Sequence, residues 1–86
     1  MRTYRRLGVQ LKKRDREQLD GMLSGGNQAV RVILRGLALY QLHDGKSVSE
    51  VAGNVRLTSK AVREIGWRYE SSGLDRALYD KQRPGA

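Results

Sequence analysis

Residues 47–73 read SVSEVAGNVRLTSKAVREIGWRYESSG, and their spacing predicts two short helices joined by a tight turn. Ser47 and Glu50 make S-x-x-E, a capping box in which each side chain satisfies a backbone donor that a helix start leaves open. Val51 and Val55 fall one turn apart on a single face, with Ala52 beside them. A small side chain at position 52 lets a second helix cross closely. Leu57 supplies an apolar plug in the turn, and Thr58 is a good N-cap for the helix that follows. From there Val62, Ile65 and Tyr69 repeat at three and four, which leaves Ser59, Lys60, Arg63 and Glu64 on the outward face. A polar, basic face near a helix start is what meets base edges in a helix-turn-helix, and residues 47–72 are read as that motif. The turn of such a motif usually carries glycine, where this chain has Arg56. A non-glycine residue at positive φ costs about 1 kcal/mol, so a wider or slightly strained turn is expected.

Composition narrows the partners. Eighty-six residues suffice for one small domain and leave too little for a second core. Seventeen Lys and Arg against nine Asp and Glu give a net charge of +8, which points to a polyanion, most simply nucleic acid. There is no cysteine, hence no disulfide frame, thiolate metal site or thiol redox chemistry. The longest apolar run is far short of a membrane span, and residues 1–16 lack the apolar stretch of a signal peptide. The expected compartment is the cytoplasm of a cell whose DNA is accessible, with no membrane partner. Phenylalanine is absent, so the core must be modest and built from Leu, Val, Ile and a few aromatics.

Outside the motif the chain divides simply. Residues 1–14 (MRTYRRLGVQLKKR) are basic, with Val9 and Leu11 alternating with polar neighbours as in a short extended segment. Arg2, Arg5, Arg6, Lys12, Lys13 and Arg14 make either an arm along phosphates or a frayed, solvated terminus. Residues 15–80 form the helical domain. Its first helix runs from Asp15 to Leu23, with Leu19, Met22 and Leu23 at helical spacing, and Ser24-Gly25-Gly26 breaks it. Asn27 is the expected cap of a second helix over residues 28–43. Its apolar residues (Val30, Val32, Ile33, Leu34, Leu37, Ala38, Tyr40, Leu42) nearly encircle it, as in a central buried helix. Asp44-Gly45 ends that helix, and Gly73 ends the last long one as a C′ glycine, after which Leu74 and Leu78 can fold back on the core. Residues 81–86 read as the start of a linker. The fold expected is all-α, a small bundle of four to five helices containing a helix-turn-helix.

A family resemblance rests on the order of these pieces: VRVILRGLAL at 30–39, S-x-x-E-V-A from Ser47, T-S-K-A-V-R from Thr58, then Ser72-Gly73-Leu74 and Leu78-Tyr79-Asp80-x-x-Arg83-Pro84-Gly85. The chain from Val9 to Ala86 resembles the N-terminal DNA-binding region of bacterial insertion-sequence transposases of the mariner-like superfamily. The helix-turn-helix alone is common to many regulators, whereas the L-Y-D-x-x-R-P-G stretch after G-L is more specific. The resemblance implies binding to the terminal inverted repeats of a mobile element. It also implies a separate downstream domain that cuts and joins DNA with three carboxylates and two metal ions. Two residues depart from the pattern: Arg56 replaces the turn glycine, and Ile65 stands where these proteins often place Trp, which here comes two residues later as Trp67.

Catalytic chemistry finds no support within these residues. Asp75 and Asp80 lie outside any cluster with metal-ligand spacing and read as surface or capping groups. His43, the single histidine, sits beside Asp44 at a helix end and reads as a C-terminal cap rather than a metal ligand. No serine has a nucleophile-elbow context and no glycine pattern makes a phosphate loop, so neither enzyme activity, cofactor, metal nor small-molecule ligand is expected.

The chain reads as a sequence-specific binder of double-stranded DNA, with a homodimer on DNA as one arrangement. Thr58 and Ser59 suit phosphate contacts through hydroxyls and free N–H groups at the helix start. Arg63 suits bidentate reading of guanine, and Lys60 a base edge or a phosphate. Glu64 either reads cytosine or pairs with Lys60 one turn away, and pairing is favoured. Arg5, Arg6, Lys12 and Lys13 complete the DNA-contacting set. Trp67 is expected to pack on the tail near Leu78 or Tyr79 in preference to touching DNA. Two rivals remain: a free-standing helix-turn-helix transcriptional regulator, which should dimerise on a palindromic site, and a helical protein-interaction adaptor whose basic face meets an acidic partner.

Overall fold

A helix that is apolar on nearly every side needs neighbours on several sides. Val30–His43 (α2) has four: α1 (Lys13–Gly25), α3 (Val48–Val55), α4 (Ser59–Ser72) and α5 (Leu74–Leu78) all pack against it. The computed structural model describes residues 9–25 and 28–79, and these form an all-helical globule. Val32, Ala38, Leu39 and Leu42 of α2 are buried together with Leu19, Val51, Val55, Val62, Ile65, Leu74 and Leu78 from the surrounding helices. No polar or charged side chain is buried among the described residues.

With no phenylalanine to span wide gaps, the helices close in over small residues. Gly36 is buried where α1 crosses α2, and a Cβ built there would stand 3.0 Å from Leu19 Cδ2. Ala52 plays the corresponding role on α3, only 7% exposed.

The helix ends explain how the chain turns so tightly. Gly45, at φ 95°, terminates α2 in a Schellman arrangement: its N–H donates to the Leu42 carbonyl at 3.0 Å, and the Lys46 N–H donates to the Gln41 carbonyl at 3.1 Å. Arg56 ends α3 in the left-handed region, at φ 60° and ψ 39°. Its N–H and that of Leu57 both donate to the Ala52 carbonyl, the latter at 3.1 Å. Leu57 is half-buried against the core, so the apolar residue that completes this cap is also the expected plug. The turn therefore keeps its tight geometry, and Arg56 tolerates positive φ rather than widening it. Gly73, at φ 97° and ψ 179°, is the single residue between α4 and α5, and it reverses the chain so that Leu74, Ala77 and Leu78 are buried. Arg35 Nη1 donates to the Leu78 carbonyl at 3.1 Å and fastens α5 to α2.

Three expectations change. The first helix begins at Lys13 and continues to Gly25, so Lys13 and Arg14 belong to α1 and not to a free arm. Helical spacing of apolar residues marks only the buried part of a helix, and the polar turn before Leu19 carries no such signal. The second helix begins at Val30, two residues later than expected, with Ala29 as an N-cap that makes no side-chain bond. Asn27 lies outside the described residues. Val30 is 70% exposed, so α2 is encircled only from its second turn onward.

Replacement of Arg56 by glycine should be neutral or stabilising by up to about 1 kcal/mol, because relief of the left-handed strain outweighs or matches the added freedom of the unfolded chain. Gly36→Leu should cost about 1–3 kcal/mol by overpacking against Leu19. Urea denaturation of both variants checks the pair; a destabilised Arg56→Gly protein would mean that the arginine side chain makes a needed contact.

Candidate nucleic-acid interface

The interface expected on α4 depends on how the helix before it is held. Ser47 Oγ accepts from the Glu50 N–H at 3.2 Å, and Glu50 Oε1 accepts from the Ser47 N–H at 3.3 Å, so the capping box that starts α3 is complete. Residues 56–58 then connect α3 to α4. Thr58 Oγ1 accepts from the Ala61 N–H at 3.0 Å, which fixes the start of α4. Thr58 is exposed, and its capping oxygen is thereby engaged while its O–H stays available as a donor. Helix geometry leaves the N–H groups of Ser59 and Lys60 without an intrahelical acceptor, and both point out of the helix start.

Inward, α4 buries Val62, Ile65, Gly66 and Tyr69. At about 100° per residue the centre of that face lies opposite Lys60 and Trp67. These two residues are seven apart, two turns less about 20°, so they stand almost in line along the helix crest. Arg63 lies between them on one flank and Glu64 on the other. Lys60, Arg63, Trp67 and Arg68 are exposed, whereas Ser59 and Glu64 are half-buried. Arg56, exposed in the turn, adds a cation just before the start of α4 that the sequence reading treated only as a turn residue. The crest carries the side chains expected for base contact within the first two turns of one helix.

Trp67, expected to pack on the tail near Leu78 or Tyr79, is 54% exposed, so more than half of its surface is open to solvent. Tyr79 is 42% exposed and Leu78 is buried, 1% exposed.

The basic N-terminal stretch has two parts. Arg5 and Arg6 lie outside the described residues. Residues 9–12 lie outside any helix and are docked: Val9 and Leu11 are buried, and Gln10 and Lys12 between and after them are exposed. Two long-range bonds hold this segment. The Leu11 N–H donates to His43 Nδ1 at 3.0 Å, and the Lys12 N–H donates to the Tyr69 hydroxyl at 3.1 Å. His43 therefore acts as an acceptor that ties the segment to the end of α2, a different role from the helix cap expected of it. Its Nδ1 must carry no proton in this bond. Tyr69 in turn donates to Asp15 Oδ2 at 2.6 Å. Lys12, Asp15 and Tyr69 line an open cleft with Gln10, Glu70, Ser71 and Gly73. The docked segment thus runs beside the last turns of α4, bringing the exposed Lys12 to the far end of the helix that carries Lys60 and Arg63.

Burial of Tyr69 and its bond to Asp15 push its phenol pKa above the ordinary value near 10. Among the described residues no group of three or more His, Asp or Glu is placed to hold a metal ion, and no helix is long and apolar enough to cross a membrane. Comparison with protein-family models, curated proteins and solved structures finds no significant match in any of the three.

Tyr69→Phe removes the donor to Asp15 and the acceptor for Lys12, and should cost about 1–3 kcal/mol while leaving the ring packed. The native protein should show the same dependence in alkali. A tyrosine whose folded pKa is raised contributes its stabilisation fully below the unfolded pKa and loses it as pH rises through the folded value. Melting temperatures across the alkaline range should fall less steeply in Tyr69→Phe than in the parent, and equal slopes would remove Tyr69 as the titrating group.

Proposed function

We propose that this chain is a sequence-specific double-stranded DNA-binding module. In this reading α3, the three-residue turn and α4 act as a helix-turn-helix, with α4 as the reading helix. The observation that carries it is the crest of α4. Lys60 and Arg63 are exposed within two turns of a well-capped helix start, opposite a fully packed inner face. The net charge of +8 supplies long-range attraction to phosphates. Arg63 reads a base edge, with guanine the best match for its planar fork, and Lys60 takes a neighbouring base or phosphate. Thr58 and Ser59 orient the helix start on the backbone, and Lys12 with the arm residues Arg5 and Arg6 follows phosphates further along. The resemblance in the order of motifs makes recognition of transposon ends by a transposase the biological setting we favour. The chain then serves as a binding module in a bacterial cytoplasm, with catalysis supplied from elsewhere. A free-standing transcriptional regulator is the alternative, distinguished by a stable dimer on a palindromic site.

Selection from a random duplex library supplies the target, and two measurements then test the reading. Log affinity should fall with log salt at a slope of roughly −4 to −7, as five to eight phosphate contacts require. On the selected site Arg63→Ala should lose about 1–3 kcal/mol and relax the preference at one or two base pairs. Arg5→Ala should weaken cognate and random duplexes evenly. An Arg63→Ala protein that binds every duplex as the parent does would exclude α4 as the reading helix.

A further inference from the structure

We infer that Trp67 is a DNA-contacting residue, seated against the sugar–phosphate wall of the groove that α4 enters, with its indole N–H directed at a phosphate oxygen. The inference rests on the reading of α4 as the DNA-reading helix and adds to it a residue that the sequence assigned to the tail.

Exposure comes first. A tryptophan is the largest apolar side chain available to so small a core, yet 54% of this one faces solvent, while residues as modest as Val55 and Val62 are buried to 2% or less. It is left out because of its position on the helix. Val62, Ile65, Gly66 and Tyr69 saturate the inner face, and Trp67 lies on the opposite side, in line with Lys60.

Its surroundings select the occupant. Arg63 lies one turn back on the same crest, Lys60 two turns back, and Arg68 is adjacent, all three exposed. Glu64 and Glu70 flank the ring on either side. The charges on the helix itself are nearly balanced, so the charge of the whole chain decides: a second copy, also carrying +8, is repelled, and a polyanion is drawn in. A phosphodiester backbone also offers both surfaces an indole needs: the apolar deoxyribose for the ring face and an anionic oxygen for a group that can only donate.

Distance decides which part of the duplex is reached. Seven residues along a helix advance about 10 Å, close to the major-groove width of about 12 Å. A helix that sets Lys60 and Arg63 on base edges with its first turns therefore carries Trp67 to the rim of the groove, where the backbone runs. The contact positions the helix and leaves base choice to Arg63.

Trp67 is the single tryptophan of the chain, so its own fluorescence reports the contact without a label. The full chain is titrated with a short duplex taken from the library selection, and acrylamide quenching of Trp67 is compared in the free and saturated states. Quenching is expected to be weaker in the complex. Trp67→Phe, which keeps a ring but lacks the N–H, should bind about tenfold more weakly, in line with a lost hydrogen bond to a charged group. The loss should be equal on cognate and random duplexes, with the helical circular-dichroism signal unchanged. If anisotropy of a labelled duplex shows saturable binding while Trp67 stays as quenchable as in the free protein, the contact is refuted and the DNA reading stands. Shielding that is already complete in the free protein would likewise overturn the contact, since the chain itself would be covering the ring. If no duplex binds at low salt, both readings fall together.

Discussion

Close approach of helices over small side chains is the constraint on which the rest of this structure depends. The chain has no phenylalanine, and its single tryptophan stays outside. Buried volume must therefore come from leucine and valine held tightly together. Gly36, Ala38, Ala52, Gly66 and Ala77 are all buried, and each sits on a helix that packs against another. At Gly36 a larger residue would meet Leu19 of α1, hold the two helices apart and open gaps that the remaining side chains are too short to fill. The same closeness has an outward consequence. Because α4 commits one entire face to the core through Val62, Ile65, Gly66 and Tyr69, its opposite face has no choice but to be solvent-facing along its whole length. The candidate reading surface is thus the complement of the packing surface, and changing one would disturb the other.

A thin apolar core also explains why side-chain hydrogen bonds between distant elements matter here. Tyr69 joins residues 12 and 15 to α4, His43 joins residue 11 to α2, Arg35 holds the end of α5, and Asn54 Nδ2 donates to Gln41 Oε1 at 2.8 Å to link α3 with α2. The Tyr40 hydroxyl reaches Asp20 in the same manner, from α2 to α1. Each such bond contributes only about 1 kcal/mol net. Their larger effect is on direction. Without the bonds at Leu11 and Lys12, residues 9–12 would have only two buried side chains, Val9 and Leu11, to orient them.

Much of this architecture could be read in advance because its signals are local. The capping box at Ser47 and Glu50, the Thr58 cap and the Gly73 reversal each involve atoms within a few residues of one another, so short sequence spacing determines them. At Arg56 the sequence left a wider turn or a strained one open, and the left-handed φ of 60° is the second of these. What escaped was long-range. His43 was read against its neighbour Asp44, yet its bond partner is 32 residues away, and no periodicity reports such a pairing. The start of α2 was drawn to Asn27 by capping preference, whereas the N-cap is Ala29, which makes no side-chain bond. The 54% exposure of Trp67 was not legible either, because burial is decided by which helix face a residue occupies and by what packs there. On the candidate site, α4 was legible residue by residue from the 3.6-residue repeat, but the docking of residues 9–12 beside its far end was not.

The distribution of charge divides the labour of the proposed complex. Seven of the seventeen basic residues fall within the first sixteen positions. On α4 the exposed cations Lys60, Arg63 and Arg68 are nearly balanced by Glu64 and Glu70. A near-neutral helix adds little to the general attraction for phosphate, which falls off over a screening length of about 8 Å at physiological salt. Encounter and non-specific hold therefore rest with the N-terminal stretch, and the reading helix is relieved of that task. Its carboxylates then become useful for discrimination. In the proposed complex Glu64, one turn from Lys60 and half-buried, repels a phosphate brought too near and is satisfied by Lys60 or by a base-edge donor such as the cytosine amine. A duplex that sets the wrong group opposite it leaves a desolvated charge without a partner, at a cost greater than the loss of any one favourable contact. Specificity on such a helix arises as much from what Glu64 rejects as from what Arg63 accepts.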